Sequence, residues 1–206
     1  MLCSDCHAQL NWIVEPVCFC CGRIVPHPTE RCVICQTRPL PLKQIRAAVL
    51  FTEPVTKVIH KMKYEGLFGL ADPLANLMVE AWSNWHMPVD LVTPIPLHPD
   101  RKRKRGYNQS DLLAKQFSTH LNLKYDANIL KRNRNTIPQV GLNAAERLTN
   151  VEKAFDVTDN SNNIGGKHIL LIDDVCTTGA TMTSAARALL TAGAQTVSGY
   201  CVARAM

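Results

Sequence analysis

From residue 43 onward, short apolar runs alternate with segments whose apolar residues recur every three or four positions. The run IRAAVLF, Ile45 to Phe51, predicts a strand, and Val55, Val58, Ile59 and Met62 behind Pro54 predict a helix with a proline in its first turn. A second helix is predicted over Leu67 to Trp82, with Leu70, Leu74, Leu77, Met78 and Ala81 on one face. Asp90 to Pro96 reads as a short strand leaving into a proline-rich turn, and a helix opening at Asn108 or Ser110 runs to about His120. Lys167 to Asp173 has the continuous apolar character of a strand buried on both faces. A helix over Thr181 to Ala192, ended by Gly193, and a last strand over Thr196 to Ala203 complete the pattern. Strands separated by helices predict an α/β fold with a mainly parallel sheet flanked by helices. Residues 1 to 42 lack this periodicity and are rich in Cys, His and Pro; Pro39 and Pro41 suggest a boundary between that segment and residues 43–206.

Ligands of such sheets sit beyond the carboxyl ends of the strands. There the sequence HILLIDDVCTTGAT, His168 to Thr181, places two adjacent carboxylates, Asp173 and Asp174, followed by Thr177, Thr178, Gly179, Ala180 and Thr181. A glycine-containing turn that opens a helix offers successive backbone N–H groups and a positive dipole end to an anion. The threonine hydroxyls add donors, and the missing lysine separates this loop from the nucleotide-triphosphate P-loop. Carboxylates repel phosphate, but they accept hydrogen bonds from a vicinal diol, so a sugar phosphate satisfies both halves of the motif. The alternative is an Asp173 that caps the helix beside threonines that only fill the turn.

The totals set limits. The chain has 206 residues, 46% of them hydrophobic and 19% charged, and a net charge of +6, compatible with a phosphorylated or polyanionic ligand. No apolar run approaches the ~18 residues of a membrane helix and the start does not read as a signal peptide, so no membrane insertion and a cytoplasmic location are expected. Of nine cysteines, seven fall in the first 35 residues. Clustered CxxC pairs without an export signal favour metal over disulfides. Cys18, Cys21, Cys32 and Cys35 form two such pairs and suit a structural zinc ion in a small ribbon, with Gly22 turning amides toward the thiolates. Cys20 is a bystander or an alternative register, and Cys3 and Cys6 make a third pair. With His7 and His27 these residues would raise the count to eight ligands for two metals. Cys176 and Cys201 read as small core residues.

Arg101 to Arg105, RKRKR, is an unbroken run of five cations leaving another predicted strand end. Such a run can hold pyrophosphate, track a nucleic-acid backbone, or lie as a solvated loop. Aromatics for base stacking are scarce, Tyr107 being the one beside the run.

The thirteen residues ILLIDDVCTTGAT resemble the phosphoribosyl diphosphate (PRPP) signature of type I phosphoribosyltransferases. With IHKMKYEG at Ile59 to Gly66, RKRKRGYNQ at Arg101 to Gln109, the basic stretch from Leu130 to Phe155 and the N-terminal cysteines, the whole chain resembles the ComF/GntX-type competence and DNA-utilisation proteins. That resemblance implies a phosphoribosyltransferase-like domain with an N-terminal zinc ribbon, PRPP bound with magnesium, and a role in DNA uptake or the use of DNA as a nutrient. A PRPP-sensing module that binds single-stranded DNA without catalysis, or works with other competence proteins, is the alternative. It assigns Asp173 and Asp174 to the ribose hydroxyls, residues 177–181 to the 5-phosphate, and Arg101, Arg105 and Gly106 to the pyrophosphate. Gln139 and Arg147 fall where other phosphoribosyltransferases carry a hood over the acceptor. Lys63 and Tyr64 lie in a segment without an assigned role. Related proteins resemble double ribbons with four CxxC pairs, so Cys3 and Cys6 correspond to half of a site.

Overall fold

The computed structural model describes residues 3–85, 87–134, 153–158 and 164–206. At its centre is a four-stranded, wholly parallel sheet in the order β1-β6-β5-β2, made of β1 (Ile45–Leu50), β2 (Leu91–Pro94), β5 (His168–Cys176) and β6 (Thr196–Arg204). The middle strands each carry an unbroken apolar run because helices cover both faces; Ile169 to Ile172 and Tyr200 to Ala203 are buried. Helices α4 (Ala71–Trp82) and α6 (Gln109–Leu121) pack on each other and on the sheet, and Trp82, Phe117 and Tyr200 meet there in a ring cluster whose centroids lie 5.1 to 5.5 Å apart. Tyr200 donates its hydroxyl to the Met78 carbonyl at 2.7 Å, which satisfies the phenol within the cluster. Helix α7 (Ala180–Thr191) also packs on the sheet, through β6.

Helix α3 (Val55–Tyr64) follows β1 as the periodicity predicts, burying Val55, Ile59 and Met62. The next predicted helix begins instead as a 3₁₀ turn, Phe68–Leu70, before α4 takes over. Two short helices, α1 (Ser4–Ala8) and α2 (Val33–Thr37), and two short strands escaped the sequence pattern. Leu130–Arg132 (β3) and Phe155–Val157 (β4) form a short antiparallel pair, each strand too brief for an alternation to register. The cationic run is neither strand nor open loop: it is α5 (Pro99–Arg105). Pro99 at the first helical position, the His98 ring accepting from the Asp100 amide, and Asp100 in the first turn start it, and Gly106 ends it.

The N-terminal segment lies against this sheet. Ile13 donates its amide to the Ala48 carbonyl at 3.0 Å and Leu50 donates to Asn11 at 2.8 Å, which covers the otherwise open edge of β1. The cysteine turn is pressed against the start of the same strand. Ile45 donates to the Cys20 carbonyl at 2.9 Å, and Gly22, at φ +67°, approaches so closely that a Cβ would lie 2.3 Å from the Ile45 carbonyl oxygen. Gly22 therefore serves the contact with β1 as well as the turn of its own loop. No helix among the described residues is long and apolar enough to cross a membrane.

Candidate functional site at the carboxyl edge of the sheet

Strand β5 does not stop at the acid pair, as its apolar run predicts, but pairs with β6 through Cys176, in register with Arg204. Asp173 and Asp174 are therefore held inside a ladder rather than on a free loop, and their side chains leave opposite faces of the strand. Asp173 Oδ1 accepts from Ser110 Oγ at 2.8 Å and from the Asp174 amide at 2.9 Å. Ser110 reaches it from the first turn of α6, whose N-cap Asn108 accepts from the Ser110 amide at 3.2 Å. Asp174 is buried, and its Oδ2 meets Lys63 Nζ, at the end of α3, at 2.7 Å.

Two carboxylates against one ammonium leave a charge imbalance. Burial, followed by the neighbouring Asp174 charge, pushes the Asp173 carboxyl up to about 7, although Lys63 and Ser110 pull the other way. Burial works against the Lys63 ammonium, but the Asp174 carboxylate outweighs it and its pKa is raised.

Beyond Cys176 the loop 177–179 turns into α7. Gly179 is the N-cap residue, at φ +79°, a conformation in which a side chain is strained, and a Cβ there would lie 3.1 Å from Ile45 Cδ1. The Ala180 amide is held by Thr178 Oγ1 at 3.3 Å. Asp173, Thr177, Gly179, Ala180 and Thr181 line one narrow cleft, so Asp173 shares a space with most of the loop, while Asp174 faces Lys63 on the other side of the strand.

On the β2 flank lies a cavity of about 490 Å³ lined by Lys63, Tyr64, Gly66, Arg101, Lys104 and Arg105. Lys63 belongs to this cavity and to the acid pair at once. The Arg105 guanidinium stacks 5.5 Å from the Tyr64 ring centroid and donates to Gln109 Oε1. Arg101 is half-buried and its pKa is lowered by burial and by Arg105. Gly106 ends α5 facing open space and does not line the cavity.

In the N-terminal segment, the sulfurs of Cys18, Cys21, Cys32 and Cys35 all lie within 4.8 Å of one another. Cys18 to Cys35 is 4.0 Å and Cys21 to Cys32 is 3.7 Å. Zinc–sulfur bonds of about 2.3 Å in a tetrahedron require sulfurs about 3.8 Å apart, so the donor set fits a zinc ion. Burial pushes the Cys21 thiol up to about 11 and raises Cys35 further, a cost that a divalent cation relieves. Cys20 is buried outside the cluster and serves β1 through its carbonyl. Cys3 and Cys6 join no such group among the described residues, and His7 instead meets Glu80 at 2.9 Å.

Residues 103–206 match the family model for the phosphoribosyl transferase domain. Over its full length the chain is similar to curated bacterial proteins. Competence protein F of Haemophilus influenzae is 30% identical over 99% of this chain and 90% of its own. The DNA utilization protein YhgH of Salmonella typhi is 31% identical over 100% and 91%. Competence protein ComFC of Bacillus subtilis is 30% identical over 98% and 84%. This chain belongs to the ComF family.

Within this ComF chain the fold brings Asp173 together with Thr177, Gly179, Ala180 and Thr181, turns Asp174 to Lys63, leaves Thr178 in the wall of a separate cavity, and sets Arg101 and Arg105 with Lys63 on the β2 flank. Gln139 and Arg147 lie outside the described residues. Sequence reasoning missed Ser110 and Lys63 as partners of the two acids. It also missed Arg132 of β3, buried and lowered to about 10 by desolvation, close enough to Arg101 and Asp173 to feel both charges. Tyr64 and Phe68, 61% and 65% exposed, join Tyr107 beside the cationic helix; Phe68 and Tyr107 pack edge to face at 6.1 Å. Only IHKMKYEG hinted at Lys63 and Tyr64, and nothing local marked the others.

Proposed function

We propose that the chain binds PRPP with magnesium at the carboxyl end of β5 and acts as a phosphoribosyltransferase in the uptake of DNA or its use as a nutrient. The observation that carries this is the shared cleft of Asp173, Thr177, Gly179, Ala180 and Thr181, with a cavity lined by two lysines and two arginines on one flank. Asp173 and Asp174 accept the ribose hydroxyls, the amides and hydroxyls of 177–181 hold the 5-phosphate, and Arg101 and Arg105 meet the pyrophosphate. Gly106 contributes by ending α5 so that those arginines face the cavity. Holding the ribose fixed while cations receive the departing charge lowers the barrier through orientation and electrostatics. The all-oxygen acid pair suits magnesium, which supplies charge neutralisation for the pyrophosphate when bound. Lys63 releases Asp174 to the sugar and turns toward the pyrophosphate in the cavity it already lines. We also take residues 1–42 to be a zinc-dependent ribbon, distinct from the transferase-like residues 43–206.

Calorimetry with PRPP and magnesium, paired with a pyrophosphate-release assay, tests this. Saturable binding lost in the Asp173→Asn, Asp174→Asn double variant supports it; wild-type protein that ignores PRPP sinks it. A second reading is favoured by two exposed rings, Tyr64 under Arg105 and Phe68 against Tyr107: a PRPP-sensing module that binds single-stranded DNA, with bases on the rings and phosphates on α5. PRPP binding without turnover, together with DNA binding that weakens steeply with salt, favours the module.

A further inference from the structure

A cavity of about 720 Å³ opens between the β3–β4 pair and α7. Ser184, Arg187, Ala188 and Thr191 recur at helical spacing and turn one face of α7 toward it. Lys131 stands across from them on β3, and Lys153 just ahead of β4. Lys153 is held there at φ +51°, a left-handed conformation that side-chain-bearing residues rarely adopt. Lys131, Lys153 and Arg187 are exposed, and none of them forms an ion pair among the described residues. The one carboxylate in the lining among the described residues is Asp156, whose Oδ2 accepts from Asn133 Nδ2.

Three cations against one carboxylate give the cavity an excess of positive charge, which attracts an anion. Size decides which kind. Pockets that bury a small organic ligand run to about 300–1,000 Å³, so inorganic phosphate alone would leave most of this one empty. Phe155, Val157 and Ala188 add apolar surface for a flat ring, and the Asp156 carboxylate can accept from a sugar hydroxyl. We propose that this cavity binds a nucleoside triphosphate, with its phosphates on Lys131, Lys153 and Arg187 and its sugar and base against Asp156 and the apolar wall. The cations come from three separate elements and converge on one concave space, whereas those of α5 follow one another along a helix. Convergence suits a compact polyanion rather than a nucleic-acid strand.

The walls give such a ligand a consequence for the rest of the molecule. Helix α7 starts at Ala180, directly behind the loop after β5. Lys131 is the chain neighbour of Arg132, which lies close enough to Asp173 to feel its charge. A ligand gripped by Arg187 on one side and Lys131 on the other ties the helix behind the loop to the strand beside Asp173. Two elements of the cleft are then ordered before PRPP arrives, and PRPP no longer bears that cost. Occupancy of the cavity therefore tightens PRPP binding, and PRPP tightens nucleotide binding by the same factor. This coupling rests on the phosphoribosyl reading above; the occupancy of the cavity does not.

Full-length protein is titrated calorimetrically with ATP, with inorganic triphosphate and with oligothymidylate, and then with PRPP and magnesium in the presence and absence of ATP. ATP saturates a single site and binds about tenfold more tightly than inorganic triphosphate. Arg187→Glu and Lys131→Glu, both at exposed side chains, each weaken ATP about tenfold or more while the melting temperature stays that of wild type. Saturating ATP tightens PRPP about fivefold or more in wild type and not in Arg187→Glu. The assignment is overturned if ATP does not bind, if it binds both variants as it binds wild type, if PRPP or oligothymidylate displaces it competitively, or if inorganic triphosphate matches it. If ATP and PRPP bind independently of each other, the coupling falls and the site stands. If wild type binds ATP but not PRPP, the phosphoribosyl reading fails and takes the coupling with it, while the cavity keeps its ligand.

Discussion

Replacing Asp173 with asparagine should make the folded protein more stable at alkaline pH while weakening the PRPP binding proposed above. In the native fold two adjacent carboxylates share a single ammonium, Lys63, and burial plus the Asp174 charge hold Asp173 at about 7 against an ordinary 3.8. A carboxyl whose folded pKa is raised costs nothing below its unfolded pKa, where both states are protonated. Stability is lost as pH rises from about 4 through 7, because the unfolded chain ionises while the folded chain holds its proton. A shift of about three units corresponds to at most ~4 kcal/mol at pH 8, and to less than half of that at pH 5. Asp173 retains some contact with solvent, which screens the effect, so about 1–3 kcal/mol at pH 8 is the expected gain. Asparagine keeps an oxygen that can accept from Ser110 Oγ and from the Asp174 amide, and it leaves Lys63 and Asp174 as a balanced pair. Urea unfolding of wild type and Asp173→Asn at pH 5 and pH 8 measures it. A variant no more stable than wild type at pH 8, or one whose advantage shrinks as pH rises, would refute the account of the acid pair.

Lys63→Met removes the only cation bonded to Asp174 among the described residues and strands a buried charge; a loss of about 3–5 kcal/mol in urea unfolding at pH 8 is expected, largely recovered by adding Asp174→Asn. Metal analysis should find zinc bound, and Cys18→Ser with Cys32→Ser should abolish it and lower the melting temperature; zinc retained by that double variant would count against the cluster. Gly22→Ala drives a Cβ to 2.3 Å from the Ile45 carbonyl oxygen at a left-handed φ, so it should cost more than about 2 kcal/mol, whereas the same change at Gly69, where a Cβ meets nothing, should stay within about 1 kcal/mol by the same unfolding assay.

The parallel sheet was legible because strands buried on both faces carry unbroken apolar runs, and Ile169 to Ile172 is the plainest of them. The turn after it was legible because a glycine between a strand and a helical pattern marks a left-handed turn that opens the helix, and Gly179 at φ +79° does so. Helix α5 was not legible as a helix: seven residues without an apolar face give periodicity nothing to act on, and only Pro99, Asp100 and Gly106 mark its ends. Ser110 and Lys63 stayed hidden for another reason. Each meets an acid more than sixty positions away, across a contact made by folding, and a lone serine or lysine in a helix has no local pattern that tells a partner from a surface group.

The cysteine cluster and the phosphate-type loop are joined through one residue. Ile45 gives its amide to Cys20, its carbonyl stands where a Cβ on Gly22 would be, and its side chain lies 3.1 Å from where a Cβ on Gly179 would be. The first residue of β1 is therefore clamped by the cysteine turn on its backbone side and touches the loop with its side chain. Were a zinc ion held by the four thiolates, its loss would free the turn, and Ile45 and the floor under Gly179 would loosen with it. Packed contacts of this kind pass on small displacements because the interior has no void to absorb them. A metal bound there would therefore bear on the geometry of the loop as well as on the folding of the cysteine segment. It gives a physical reason for a ribbon and a transferase-like sheet to share one chain.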